Sequence, residues 1–265
     1  MAINWDDIRD QAVSWANEAG DVIRKSFEKE LTVETKSNAD DLVTNMDREV
    51  EQYLIDKVSE AYPHHKILGE EGVGEEVSSL DGTVWIIDPI DGTMNFVHQQ
   101  TNFAISIGVY HEGVGMVGVI YNVIYDEMFH VVKDNGAYLN NVKLPDLEEV
   151  PIEKSIIAIN ATWITNNKRI DPARLIPVVD RCRGTRSYGS AAIELAFVAA
   201  GRLDAYITMR LSPWDFAAGK ILIEEVGGRV TNLYGEPLNI LDKNSIFAGK
   251  SDLHQQILDE YLTNE

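Results

Sequence analysis

The chain has 265 residues, 45% of them apolar, a single cysteine and a formal net charge of −20. That is enough chain for one large core or two closely fused ones. No apolar run reaches the roughly 20 residues that span a bilayer, and "MAINWDDIRD" is not a basic-then-apolar leader, so a soluble, cytoplasmic protein is expected. Cys182 alone excludes an intrachain disulfide and a cysteine-ligated zinc, the histidines lack HExxH spacing, and the acidic field argues against nucleic acid or an anionic membrane as partner.

Across 5–27, Trp5, Ile8, Ala12, Trp15, Ala19, Val22, Ile23 and Phe27 recur at three- and four-residue steps, predicting an amphipathic helix with these residues on one face. A second helix is predicted from about Thr44, through Val50, Leu54 and Val58, to Pro63, with Asp47 in its first turn. "HKILGEEG" and "TVWIIDPIDG" are short apolar runs that each end in carboxylates and glycine, and "FAISIGVY", "VGMVGVIYNV" and "DEMFHVVKDNGAYL" read as a β-meander. The second half alternates strand-like "SIIAIN", "LDAYIT", "RVTNLY" and "SIFAG" with helical "PARLIPVVDRC", "AAIELAFVAAG", "FAAGKILIEEVGG" and a terminal helix from Asp252. Helix and sheet layers alternate throughout. The polar, Pro-bearing stretch around 141–154 is the weakest joint, giving an N-terminal unit 1–145 and a C-terminal unit 146–265 packed together.

In "WIIDPIDGT", Pro89 is expected to end the strand, so that Asp88 and Asp91 converge instead of pointing to opposite faces. Two adjacent carboxylates repel, and a cation relieves them. Gly92 and Thr93 follow; if they open a short helix, their amides form a phosphate cradle. Alone, DxxDG is a turn in which the aspartates cap their own backbone. It has company: Glu70 and Glu71 end another strand, and Asp215 in "SPWDFAAG" stands at a helix start. Singly, Asp215 is an N-cap and Glu70 a solvated acid; jointly, acids at the ends of apolar elements are hard oxygen ligands for Mg²⁺.

"GEEG", "WIIDPIDGTMNFVH" and "PWDFAAG", followed by "EEVGG", resemble the signature motifs of the inositol monophosphatase family, Mg²⁺-dependent and lithium-sensitive phosphatases, over nearly the whole chain. The resemblance implies an α/β layered α-β-α-β-α sandwich, shared with fructose bisphosphatases and usually dimeric, with two to three Mg²⁺ ions and Li⁺ as inhibitor. It implies that Glu70, Asp88 and the Ile90 carbonyl hold one ion and that Asp88, Asp91 and Asp215 hold a second, with Asp88 bridging. Thr93 and Asp47 would orient and deprotonate the attacking water, the Gly92 and Thr93 amides would hold phosphate, and Gly189, Ser190 and Ala191 of "RSYGSAA" would face the substrate alcohol. Gly189 and Ser190 also read simply as a helix entry and its N-cap.

The chemistry is coherent without the resemblance: two cations about 3.5–4 Å apart activate water on one side of a phosphoryl group and neutralise the leaving oxygen on the other. No histidine, His98 included, sits in a nucleophile-activating context, so direct attack by water is expected. Aligned on Trp214-Asp215, the resemblance implies that Thr208 stands where the family's animal members carry a glutamate, and Arg210, two residues on, is a candidate contact for a second anionic group. The expected substrate is a small phosphate monoester, inositol 1-phosphate with broadened choice. NADP, fructose 1,6-bisphosphate and adenosine 3′,5′-bisphosphate are the alternatives, and a metal-binding regulatory protein is the reading outside catalysis.

Overall fold

The computed structural model describes residues 3–28, 33–35, 42–72 and 77–263. It begins with α1 (Trp5–Ser26), a two-stranded ribbon of β1 (Val33–Thr35) and β2 (Leu42–Thr44), and α2 (Asn45–Ala61). β3 (Lys66–Gly69), β4 (Thr83–Asp91), α3 (Thr93–Gln99), β5 (Ala104–His111), β6 (Val114–Asn122), β7 (Glu127–Val132), β8 (Gly136–Leu139) and β9 (Val142–Lys143) follow. Then come β10 (Ile156–Ile159), α4 (Ile176–Arg181), β11 (Gly184–Arg186), α5 (Ala191–Ala199), β12 (Ala205–Leu211), α6 (Pro213–Glu225), β13 (Arg229–Thr231), β14 (Asn244–Gly249) and α7 (Ser251–Ile257).

β3 to β9 form a seven-stranded sheet in chain order, antiparallel except for the parallel pair β3–β4. A five-stranded sheet runs β11-β10-β12-β14-β13. Strands alternate their side chains between faces, and the buried sets sort accordingly. Trp85, Ile87, Ile107 and Val119 pack against α1 and α2; Val84, Ile86 and Ile120 meet α5 and α6, which also cover Tyr206 and Ile246 of the second sheet; Ile157, Ile207 and Phe247 face α4 and α7. The layers are therefore α, β, α, β, α, as the resemblance implies. Helix α6 lies so close to the first sheet that a Cβ at Gly108 would stand 2.9 Å from that of Ala217, and one at Gly118 would stand 2.8 Å from the Ala218 carbonyl.

Two details depart from expectation. Val22 is 36% exposed, off the buried stripe of α1, and "GTR" in the loop before α5 is the edge strand β11, too short to show a period.

Candidate metal-binding and catalytic site

β4 does not end at Pro89. Asp88 pairs with Ser106 and Asp91 with Ala104, so three steps along β4 oppose two along β5. That is a bulge, the alternative to termination for a strand whose proline lacks an N–H. In a regular strand, residues three apart face opposite sides; the extra residue turns Asp88 and Asp91 to the same side. Asp88 Oδ1 accepts from the Ile90 amide at 3.0 Å, fixing the kink.

Asp215 comes from the opposite wall. It is the third residue of α6 rather than its N-cap: Ser212 caps the helix, and Asp215 Oδ2 accepts from the Ser212 amide at 2.7 Å. Asp88, Asp91 and Asp215 thereby bring carboxylate oxygens within 4.8 Å of one another. Glu70, just past β3, makes a side-chain hydrogen bond with Asp88. Burial, then the neighbouring Glu70, Asp91 and Asp215, hold Asp88 well above the usual carboxylate range. Burial and Asp91 do the same for Asp215. Burial lifts Asp91 to about 6 against hydrogen bonds from the Ser190 hydroxyl and the Ala191 and Ala192 amides at the start of α5. These carboxylates answer one another and hydrogen-bond donors, the donor set that suits a hard divalent cation.

Thr93 Oγ1 lies 3.1 Å from the Ile90 carbonyl and 3.2 Å from Asp47 Oδ1, two acceptors that share its one hydroxyl proton. Asp47, wholly buried, is raised to about 6 by burial, opposed by its bonds from Thr44 and reinforced by Glu71 and Glu70. Gly92 caps α3 at φ 96°, a left-handed conformation, and a Cβ there would crowd the Asn102 carbonyl and Ser190 Cβ, each at 3.2 Å. Its amide and that of Thr93 therefore open α3 beside the acids, as expected.

Gly189, Ser190, Ala191 and Thr208 line a cavity of about 400 Å³ whose walls also include Asp91, Asp215, Glu194 and Trp163. Ser190 is buried and its hydroxyl is committed to Asp91. Arg210 is not in this cavity. A register shift between Thr208 and Leu211 turns it away, and it lines a different cavity with Met209. The expectation that Arg210 contacts a second anionic group of a substrate held beside Thr208 is corrected on that geometry.

Three contributors were missed. Glu51, on the buried face of α2 one turn after Asp47, accepts from the Glu71 amide at 3.0 Å and so fixes the carboxylate loop. A Cβ at Gly69 would lie 1.8 Å from Glu51 Oε1, so a side chain there would displace the Glu51 carboxylate. Asn95 Nδ2 donates to the Asn102 and Tyr188 carbonyls at 2.8 and 2.7 Å, tying the loop of Gly189 to α3. Glu194 accepts from the Tyr188 amide at 2.6 Å. An acid at a helical core position was the available signal for Glu51 and Glu194; Asn95 offered none.

Layered α/β architecture, acids converging from β4 and α6, and a hydroxyl–carboxylate pair beside them are an arrangement that could hold a divalent cation next to a proton-accepting group, as a hydrolase of the layered α/β class can. A model of the Inositol monophosphatase family matches residues 4–264. The inositol-1-monophosphatase of Bacillus subtilis (strain 168) is 58% identical over 259 residues, covering 98% of each chain. SaIMPase-II superposes with TM-score 0.87 at 42% identity when bound to inositol monophosphate, covering 97% of this chain and 93% of that one. Bound to 2′AMP it gives TM-score 0.86 at 44% identity, covering 95% and 92%. An IMPase/NADP phosphatase complexed with Mg²⁺ and phosphate gives TM-score 0.88 at 27% identity, covering 96% and 95%. The chain belongs to the inositol monophosphatase family and is a hydrolase of phosphate monoesters.

Proposed function

We propose that the protein is a Mg²⁺-dependent inositol-1-monophosphatase with a broadened choice of monoester, acting in the cytoplasm as a homodimer. The convergence of Asp88, Asp91 and Asp215 within 4.8 Å carries the reading. Glu70, Asp88, Asp91, Asp215 and the Ile90 carbonyl are the residues to hold Mg²⁺, which when bound relieves their repulsion and supplies Lewis-acid stabilisation of the phosphoryl group. Asp47, poised at about 6, accepts through Thr93 the proton of the attacking water. The Gly92 and Thr93 amides orient the phosphate, and the loop of Gly189 and Ala191 faces the alcohol. Lithium inhibition follows from the family.

Breadth of substrate rests on Thr208. It is 5% exposed, lines the cavity and presents a neutral hydroxyl, so a second anionic group on the substrate meets less repulsion there than a carboxylate would give. The 2′AMP complex of SaIMPase-II supports a nucleotide 2′-phosphate as a second substrate. Phosphate release from inositol 1-phosphate, NADP and fructose 1,6-bisphosphate, compared by kcat/KM with Mg²⁺ and with a chelator, tests both levels. Activity on none of them with Mg²⁺ overturns the reading; activity on inositol 1-phosphate alone removes the breadth.

A further inference from the structure

Lys168, Arg169, Arg210 and Lys243 line one cavity of about 550 Å³, with Met209 and Tyr234 completing the wall. Met209 belongs to the apolar cluster between the five-stranded sheet and α4 and α7, so this cavity opens on the face of β12 opposite Thr208 and the acid cluster. The bulge that removes Arg210 from the catalytic cavity delivers it here.

What sets this wall apart is that four cations line one hollow and, among the described residues, none of them meets an acid. Acids outnumber Lys and Arg by 43 to 23, and several cations pair with them, Lys250 with Asp204, Arg181 with Glu153 and Glu260, Arg202 with Glu127, while others, such as Lys25, Lys143 and Arg183, make no ion pair among the described residues. A larger cavity, of about 670 Å³, also has basic residues, but Lys133 and Lys220 there pair with Asp134 and Glu224, and Arg229 donates to the Gln255 side chain. Among the described residues, none of the four makes an ion pair, and none makes a side-chain hydrogen bond. The nearby acids are engaged otherwise, Glu236 with Asn232 and Asp242 with Asn239. Four like charges around one hollow repel, and an anion among them relieves that repulsion.

The elements that carry these side chains are pinned. Asn167 Oδ1 accepts from the Arg169 and Ile170 amides at 2.9 and 3.1 Å, fixing the turn of Lys168 and Arg169. Asn244 Nδ2 donates to the Asn239 and Asp242 carbonyls at 2.8 and 2.7 Å, closing the loop that bears Lys243. Asn232 Oδ1 accepts from the Tyr234 and Glu236 amides at 2.8 and 3.0 Å, and the turn so made holds Tyr234 out, 69% exposed. Asparagine-clamped turns and a β-bulge thus present four cations and one aromatic face around a single hollow, a pre-organised arrangement that lowers the ordering cost of binding.

We propose that this cavity binds a nucleoside di- or triphosphate, with the phosphates among Lys168, Arg169, Arg210 and Lys243 and the base on Tyr234. Several fixed cations match the several charges of a polyphosphate, arginine adds bidentate contacts to phosphate oxygens, and an exposed tyrosine offers a stacking face to a base. The site is separate from the catalytic one and does not depend on the substrate assigned there.

Calorimetric titration of the full chain with ATP in a chelator, where the uncompensated acid cluster repels anions, tests this. The expected result is saturable one-site binding that weakens steeply with salt, and that Arg169→Ala and Lys243→Ala each weaken about tenfold. Tyr234→Ala should weaken ATP severalfold while leaving inorganic tripolyphosphate unchanged, and adenosine should not bind. No saturable heat from ATP at low salt, or binding that survives Arg169→Ala/Lys243→Ala, overturns the proposal. Tripolyphosphate binding as tightly as ATP with no effect of Tyr234→Ala overturns the nucleotide assignment in favour of an inorganic polyanion. Dissociation of a dimer by Arg169→Ala/Lys243→Ala, without nucleotide binding by the unmutated protein, overturns it in favour of a subunit contact.

Discussion

Thr93 Oγ1 donates to Asp47 Oδ1 at 3.2 Å, while Oδ2 of the same carboxylate accepts from the Thr44 amide at 2.8 Å and the Thr44 hydroxyl at 2.6 Å. One oxygen serves the site and the other caps α2, so the two roles separate by mutation. Thr93→Ala should lower kcat by about 10²–10⁴-fold with little change in melting temperature. Thr44→Ala should do the reverse, costing about 1 kcal/mol of stability with kcat within a few-fold. Asp47→Asn should match Thr93→Ala in kcat, and the double variant should lose little more than either, because the pair moves one proton as a unit. Additive losses in steady-state kinetics would assign the two residues separate roles.

Asp88 faces three other acids, Glu70, Asp91 and Asp215. Asp88→Asn leaves that group one fewer carboxyl to ionise, and it should abolish Mg²⁺-dependent phosphate release while raising the melting temperature in chelator at alkaline pH, where the carboxylates are charged. The two readouts move in opposite directions, which a merely misfolded variant could not produce. Retention of near-unmutated Mg²⁺-dependent turnover would contradict the placement of Asp88 between the other ligands.

The raised carboxylates also set a pH dependence. Asp47 and Asp91 stand at about 6 in the folded protein against 3.8 unfolded, so the native state binds more protons between those values. Their contribution is fully present below about 4 and is lost as pH rises through about 6. Mg²⁺ needs the same group charged, so its stabilising effect runs the other way. The gap in melting temperature between Mg²⁺ and chelator should widen from pH 5 to pH 8. Below about pH 6, each proton displaced should weaken apparent Mg²⁺ affinity about tenfold per pH unit, about 1.4 kcal/mol. Taking the gap cancels titrations remote from the site, such as His254, which burial lowers to about 4. A gap independent of pH would remove Asp91 from the ligand set.

What the sequence revealed was what local physics writes into it. The three- and four-residue periods of α1 and α2, the alternation of the meander, and acids at strand ends need only neighbours along the chain. Asp47 in the first turn of α2 and Asp215 at the start of α6 were legible for the same reason. What stayed hidden was decided by pairing across strands. Pro89 carries the same message whether a strand stops or bulges, and only the register with Ser106 and Ala104 decides. Arg210 and Thr208 share a face in any regular strand; the shift against Ile246 and Asn244 separates them. Glu51 reads as one of many acids until Gly69 brings its backbone against it.

The substrate loop depends on an acid that makes no claim on the metal. Glu194 is 4% exposed; it accepts from the Tyr188 and Gly189 amides and from the Tyr206 hydroxyl, which Thr208 meets in turn. It ties the loop of Gly189 to the strand of Thr208 across the cavity both line. Burial raises it to about 7, against those hydrogen bonds, so it changes charge near neutrality. Glu194→Ala leaves buried donors without an acceptor, at about 1–3 kcal/mol, and frees the loop. KM should rise several-fold for every monoester, kcat should fall less, and Mg²⁺ binding to the free protein should stay within a few-fold. Glu194→Gln keeps an acceptor and mimics the neutral carboxyl, so it should fall between the two and flatten any dependence of KM on pH between 6 and 8. A purely structural acid would lower the melting temperature in both variants while leaving the pH profile of KM intact, and that result would remove Glu194 from the substrate side of the site.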